Sequence, residues 1–387
     1  MRFCTLEDNS RVFFMWGVLM SDLKNKFMKC AIELAYRGEG GADPNPLVGA
    51  VIVKNGRIIG EGWHKRCGEA HAEVNAFNSL SESCEGAEMY VTLEPCAHYG
   101  KTPPCALAVV EHKLKKVYVG ILDPNPKVAG KGIEIIKNAG IEVETGVLED
   151  ECRELNKIFL KYITTGLPYV HSKFAMSLDG KIACYTGESK WISCEESRAE
   201  VQKLRNKYMG IMVGINTVLA DDPRLTCRLE NGRHPYRIVV DSCLKIPLKS
   251  KVIGTDGKCI IGTISEDENK IKALEEMGVR IVKTKPENGK VELNELMQNL
   301  GVLGINGILL EGGGTLNFAA LQSGIIDEVT AYIAPKIIGG SRAKTPFGGE
   351  GFAKIADCVE LSGLNVINIG TDIVVNGKAV RNVHGNS

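Results

Sequence analysis

His71-Ala72-Glu73 and, beyond one strand, Pro95-Cys96-Ala97-His98-Tyr99-Gly100-Lys101-Thr102-Pro103-Pro104-Cys105 form the stretch from which the architecture follows. The histidine opens a helical pattern over residues 71–80, an apolar strand occupies 88–93, and a second helix starts at Pro103. Proline is favoured at first helical positions because its missing N–H would have no partner there. Cys105 therefore stands at a helix N-terminus, where the dipole favours a thiolate. Upstream, Phe27, Ala31, Leu34 and Ala35 share one face of a helix over 26–36, ended by Gly38, Gly40 and Gly41. A strand at 47–53 turns at Asn55-Gly56 into another at 57–60, a hairpin signal. Downstream come a strand at 117–122, a helix at 132–139 and a strand at 141–147. Alternation of this kind predicts a mostly parallel sheet covered by helices.

The remainder repeats the pattern. Residues 149–163 read as a connecting helix, and Gly166-Leu167-Pro168 is the expected domain boundary. Strands are expected at 169–175, 211–213, 237–240, 259–263, 279–282 and 307–310, with helices at 193–207, 267–277 and 293–300. From Asp327 the Val- and Ile-rich tail reads as several antiparallel strands. The chain of 387 residues suits two domains. Apolar residues make up 44% and charged residues 24%, a globular balance. Lys and Arg number 47, as do Asp and Glu, so the basic surplus of a general nucleic-acid binder is missing. Thirteen scattered cysteines indicate a reducing compartment, and residues 12–20 are too few to span a bilayer. The first 24 residues are expected to lie outside the fold, with Met20 and Met28 as alternative starts, and the protein to be cytoplasmic.

The chemistry sits in the first stretch. One imidazole, His71, and two thiolates, Cys96 and Cys105, leave a fourth position open for water, the layout of a catalytic zinc site. Glu73 is not needed as a ligand and can take a proton from that water and return it to a ring nitrogen and leaving amine. His-x-Glu with Pro-Cys is the signature of the zinc nucleobase deaminases, although eight residues rather than two separate the cysteines here. His64, Cys67 and His98 are rival ligands by chemistry. The longer inter-cysteine loop and Asn45-Pro46-Leu47-Val48-Gly49-Ala50 resemble the bifunctional riboflavin-biosynthesis deaminase/reductase family. The resemblance implies that Asn45 and Lys101 contact a phosphorylated ribosylaminopyrimidine.

Lys173-Phe174-Ala175-Met176-Ser177-Leu178-Asp179-Gly180-Lys181-Ile182-Ala183 is a strand running into a turn. Glu311-Gly312-Gly313-Gly314-Thr315-Leu316 follows a strand and opens a helix, a setting in which glycines let backbone N–H groups approach a phosphate. A side chain at Gly313 is expected to intrude there, with strain if φ is positive. These segments, with those around Trp191 and residues 216–228, look like the reductase half of the same family. The fold implied is a cytidine-deaminase-like three-layer α/β domain over 25–148, a connecting helix and linker over 149–166, and a dihydrofolate-reductase-like α/β domain over 167–387. Zinc would serve the first and NADPH the second. By the same resemblance, Ala175, Trp191, Thr217, Asp221, Gly313, Gly314, Thr315, Leu316, Asn317, Phe318 and Ala319 would line the NADP site. Ser189, Arg205, Leu225, Arg228 and Glu311 would hold the substrate, the arginines suiting its phosphate. Lys173 and Glu311 are candidates for polarising the sugar or relaying a proton. The competing enzyme reading is a nucleotide or tRNA deaminase with an unrelated appendage. The expected partner is a small molecule, not nucleic acid or membrane, and the expected form is a homo-oligomer.

Overall fold

The computed structural model describes residues 8–97, 99, 103–125 and 129–380. The chain divides into two compact units between Thr164 and Thr165. The first comprises α1 (Asp8–Tyr36), β1 (Gly49–Lys54), β2 (Arg57–Trp63), α2 (Ala72–Asn78), β3 (Glu88–Leu93), α3 (Cys105–Glu111), β4 (Lys116–Ile121), α4 (Lys131–Asn138), β5 (Glu142–Thr145), α5 (Glu149–Leu155) and α6 (Lys157–Thr165). Its sheet runs β2-β1-β3-β4-β5. The hairpin β1–β2 is antiparallel, and so is β1 with β3, while β3, β4 and β5 are parallel.

Alternation along the strands feeds two cores, since successive side chains point to opposite faces. Ala50, Ile52, Met89, Val91, Val117 and Val119 pack with α2, α3 and α4. Val51, Val53, Tyr90, Tyr118 and Ile121 pack on the other face with Phe27, Met28, Ala31 and Leu34 of α1 and Cys152 of α5. Asn55 and Gly56 both have positive φ, as a two-residue hairpin turn demands. Gly62 sits where β2 meets α2: a Cβ there would stand 2.2 Å from Ala72 O and Ala76 N.

Two details differ from the sequence expectation. The first helix begins at Asp8, not near residue 26, because no proline interrupts the run; residues 1–7 lie outside the described residues, and Lys24 already pairs with Glu144 at 2.6 Å. The connecting helix is broken at Asn156, whose side chain accepts from Leu47 N–H and donates to Leu47 O, each at 2.9 Å.

The second unit holds β6 (Tyr169–Ser177), α7 (Glu195–Lys207), β7 (Gly210–Gly214), α8 (Ile215–Asp221), β8 (Tyr236–Val240), β9 (Cys259–Thr263), α9 (Glu268–Glu276), β10 (Arg280–Lys283), the small pair β11 (Pro286–Glu287) and β12 (Lys290–Val291), α10 (Leu293–Val302), β13 (Gly307–Leu310), α11 (Gly314–Gln322), β14 (Glu328–Ala334), β15 (Glu360–Ile369) and β16 (Asp372–Val380). Nine strands form one sheet, β10-β9-β8-β7-β13-β6-β14-β16-β15. It is parallel from β10 through β14. Only β16 and β15 are antiparallel. The tail from Asp327 is antiparallel among its own strands, as expected, and β14 joins it to the rest because helix α11 is a crossover that returns the chain parallel to β6. Met212, Ile238, Ile308 and Leu310 form the core with Leu296 and Leu300 of α10 and Leu316 and Ala320 of α11. Among the described residues, no helix is long and apolar enough to cross a membrane.

Candidate functional site

In the first unit the parallel strands end on one edge, where open α/β sheets bind ligands. β3 ends there and leads through Pro95 to Cys96, α3 begins at Cys105, and His71 is the N-cap residue of α2. Three separate elements thus bring one donor atom each to a point. His71 Nδ1 lies 3.6 Å from Cys96 Sγ and 3.3 Å from Cys105 Sγ, and all three atoms fall within 4.8 Å of one another. Among the described residues this is the one cluster of its kind. The N–H of Cys105, at the start of α3, donates to Cys96 Sγ at 3.3 Å. Hydrogen bonds from the Cys105 thiol and then His71, against the opposing effect of burial, hold the Cys96 thiol well below its ordinary value. A nitrogen and two sulfurs in a triangle of this size fit Zn2+ by donor type and number.

Glu73, on the first turn of α2, is 3% exposed. Burial pushes its carboxyl up to about 7, with the neighbouring His71 charge opposing. Such a group exchanges protons near neutrality.

Of the rival ligands, His64 is committed elsewhere. Its Nε2 accepts from Asn45 Nδ2 at 3.1 Å and its Nδ1 faces Ala70 O at 3.2 Å, which requires the neutral ring with the proton on Nδ1. Burial lowers its pKa and favours that neutral form. His64 therefore holds the Asn45 amide in place, a role that no spacing in the sequence signals. Cys67 is exposed and outside the cluster. Lys101 and His98 lie outside the described residues.

In the second unit β13 lies between β7 and β6, and its end carries Glu311. Arg205 of α7 forks onto Glu311, Nε to Oε1 at 2.9 Å and Nη2 to Oε2 at 2.7 Å, and its Nη1 donates to Thr226 O at 3.2 Å. The arginine is thus no solvated helix face. Burial would raise the Glu311 carboxyl, but the charge and hydrogen bonds of Arg205, with Lys173 and Arg228 behind them, hold it at about 2. Lys173 on β6 lies over the Tyr332 ring at 5.5 Å, and burial lowers its pKa while Glu311 opposes. Arg228 is exposed, and its N–H donates to Gln202 Oε1 at 3.0 Å. Leu225 is buried with φ of 50°.

Gly313 caps α11 beside Thr217 of α8, whose Oγ1 lies 3.8 Å from where a Cβ would be. Its φ is −77°, so the condition for strain is not met: the backbone is one any residue adopts. Gly314 is the constrained position, with a Cβ 2.6 Å from Thr345 O. Thr315 is exposed, but Leu316, Asn317 and Phe318 point into the interior, Asn317 Nδ2 donating to Pro346 O at 2.9 Å; Ala319 packs against the core. Ala175 lies on β6, Asp221 ends α8, and Ser189 is half-buried. Trp191 is 63% exposed under the Arg198 guanidinium at 4.7 Å, its carbonyl accepting from Lys336 Nζ at 2.7 Å.

Residues 21–121 match the model of the cytidine and deoxycytidylate deaminase zinc-binding region, and residues 168–375 match that of the RibD C-terminal domain. Fold and site together define a zinc-dependent deaminase joined to a reductase. The chain is 49% identical over 358 residues to riboflavin biosynthesis protein RibD of Actinobacillus pleuropneumoniae, covering 92% of this chain and 95% of that protein. Acinetobacter baumannii RibD superposes with a TM-score of 0.85 at 41% identity, covering 93% of this chain and 100% of that one. A diaminohydroxyphosphoribosylaminopyrimidine deaminase/5-amino-6-(5-phosphoribosylamino)uracil reductase from Thermotoga maritima gives 0.82 at 36% identity, with 93% and 100% covered. The chain belongs to the RibD family: it is a bifunctional deaminase and reductase of riboflavin biosynthesis, acting on small pyrimidines with zinc and NADPH as cofactors.

Proposed function

We propose the following division of labour among the residues. In the first unit His71, Cys96 and Cys105 hold Zn2+, and the 2-amino group of 2,5-diamino-6-(5-phosphoribosylamino)pyrimidin-4-one is hydrolysed to release ammonia. When bound, Zn2+ supplies the Lewis acidity that makes water a nucleophile at neutral pH. Glu73 takes one proton from the attacking water and passes it to the ring nitrogen, then takes the hydroxyl proton of the tetrahedral adduct and passes it to the leaving amine. Burial suits it to both halves of that task, because a carboxyl titrating near 7 gives and takes protons with little penalty. Asn45, held by His64, orients the pyrimidine, and Lys101 meets its ring or phosphate.

In the second unit the ribosyl chain, in its open form, is reduced to ribityl; the hydride chemistry belongs to NADPH and the protein positions it. Gly313, Gly314 and Thr315 offer backbone N–H groups at the start of α11 to a cofactor phosphate. Ala175, Trp191, Thr217 and Asp221 border it, while Leu316, Asn317, Phe318 and Ala319 anchor the helix from behind. Ser189, Leu225, Arg228 and the Arg205–Glu311 pair hold the substrate. Arg205 has its fork engaged by Glu311, so the exposed Arg228 is the better phosphate contact. Glu311, held at about 2, stays ionised at neutral pH and orients rather than donates. Lys173, its pKa lowered by burial, is the proton source.

The working form is a homo-oligomer in the cytoplasm that binds neither nucleic acid nor membrane. Zero net charge supports this. So does edge strand β15, which exposes Leu364, Val366 and Ile367 without a charged guard between Leu361 and Ile369.

The convergence of His71, Cys96 and Cys105 beside a buried Glu73 carries the reading. Metal analysis beside a coupled assay tests it: one zinc per chain, ammonia release, then NADPH oxidation on the same pyrimidine. Ammonia release by metal-free protein would refute it.

A further inference from the structure

Glu94 stands between the last residue of β3 and the Pro95-Cys96 turn, 4% exposed, with no part in the chemistry described above. Its own N–H continues the parallel ladder, donating to Ile121 O at 3.0 Å. The carboxylate reaches sideways to the neighbouring connection. Oε2 accepts from the N–H of Asp123 at 3.2 Å and of Gly130 at 3.0 Å, and Oε1 from the N–H of Gly132 at 3.0 Å. No side chain at its own N-cap position serves α4, where Gly130 is left-handed. Glu94 therefore supplies from another element the acceptor that orphan helical N–H groups need, and places a carboxylate at the positive end of the dipole. The approach is close: a Cβ on Gly132 would stand 1.9 Å from Pro95 O. The start of α4 thus rests directly against the residue before Cys96.

β4 ends beside β3, with Ile121 in register with Leu93. The turn beyond it, in which Asp123 Oδ1 accepts from Asn125 N–H at 2.9 Å, lies on the carboxyl edge where such sheets receive ligands. We propose that Glu94 is a positioning residue of the deaminase, fixing the Asp123–Asn125 turn against the Cys96 turn so that the two form one wall of the pyrimidine site. The proposal rests on the assignment of His71, Cys96 and Cys105 as the zinc ligands. It concerns binding rather than proton transfer, because the partners of the Glu94 carboxylate are backbone N–H groups between β4 and α4, whereas Glu73 lies on α2 and His71 caps that helix.

The test is Glu94→Gln in the full chain. The amide NH2 would face N–H donors, so at least one of the three hydrogen bonds is lost and the turn is released. Zinc per chain should stay unchanged, kcat for ammonia release should stay within about threefold, and KM for the pyrimidine should rise about tenfold or more, the signature of lost uniform binding. The amide protons of Gly130 and Gly132 should exchange faster, and NADPH oxidation with deaminated substrate should be unaffected. Faster exchange with unchanged KM would overturn the proposal, leaving Glu94 as a helix cap. Loss of zinc together with kcat would also overturn it, since the group would then act on Cys96 itself. If Glu94→Gln does not accumulate folded, Glu94→Asp carries the test on the same criteria, its carboxylate one methylene short of the same partners. Cys105→Ser measured alongside separates the two ideas: full zinc occupancy and ammonia release by that variant would sink the zinc-site reading, whatever Glu94 does.

Discussion

Replacing Arg205 with leucine strands the Glu311 carboxylate in a nearly closed setting. The two side chains are 14% and 12% exposed, and the guanidinium covers both carboxylate oxygens. Removing one partner of a buried ion pair costs about 3–5 kcal/mol, because the other charge is left uncompensated. Lys173 stays near and still lowers the Glu311 carboxyl, which puts the cost at the lower end. The depressed Glu311 carboxyl points the same way, since Arg205 favours its charged form against burial. Because the folded pKa is depressed, that stabilisation is full above the unfolded value of 4.5 and is lost as pH falls through about 2. In Arg205→Leu the folded carboxyl titrates higher, so less of this stabilisation is left to lose: the variant's deficit against the parent should be full at neutral pH and shrink on acidification. Thermal melts from pH 8 down to pH 4, with amide exchange in β13 and α7 to mark the second unit, measure this. Arg205→Leu should melt several degrees lower, and Arg205→Leu with Glu311→Leu should recover most of the loss, since no charge is then stranded. Equal destabilisation of single and double variants would refute the reasoning, as would an unchanged melt. Ammonia release should survive in both.

Glu73→Gln should keep zinc and fold yet lose ammonia release by at least roughly 100-fold, the contribution of a general acid/base, with NADPH oxidation on deaminated substrate intact. Cys96→Ser and Cys105→Ser should each release zinc and abolish ammonia formation, since three protein ligands make up a catalytic site; full zinc occupancy in Cys105→Ser would point to another ligand. Gly313→Val and Gly314→Val should differ. The first has room and ordinary backbone, so it should fold with weakened NADPH binding, whereas the second drives a Cβ against Thr345 O and should lower the melting temperature of the second unit. Equal NADPH affinity in Gly313→Val and the parent would mean that the start of α11 is only a turn.

The donor set was legible because a metal constrains residue types: few arrangements other than a zinc site ask for His-x-Glu, Pro-Cys and a cysteine at a helix start. Strands such as Glu88–Leu93 and Gly307–Leu310 were equally plain, being short apolar runs between turn residues. Other features leave no such trace. The hold of His64 on Asn45 depends on which way a ring points after β2 is paired, and His64 reads by type as a ligand. The three N–H bonds to Glu94 unite residues far apart in sequence through backbone atoms, which carry no residue signature. Helix α8 went unread because Ile215–Asp221 is a short segment with β-branched residues, held by its place at the end of β7 rather than by propensity. The parallel sense of β14 is set by the helix before it, not by its own Val and Ile content.

The position of β13 has a consequence for how the second unit is made. Its residues 307–310 fill the gap between β6 and β7, strands that leave the ribosome well before it. Until then the facing edges of β6 and β7 have no partner, and the middle of the sheet cannot close. The first unit has no such wait: its hairpin and its β3-β4-β5 run join strands in the order they are synthesised, apart from β3 pairing back on β1. During translation a finished deaminase should therefore trail a long nascent segment with open apolar strand edges, the state in which chains aggregate or engage chaperones. Stalling synthesis shortly before Gly307 should leave the first unit protease-resistant and the rest cleavable, whereas release past the end of β16 should protect both.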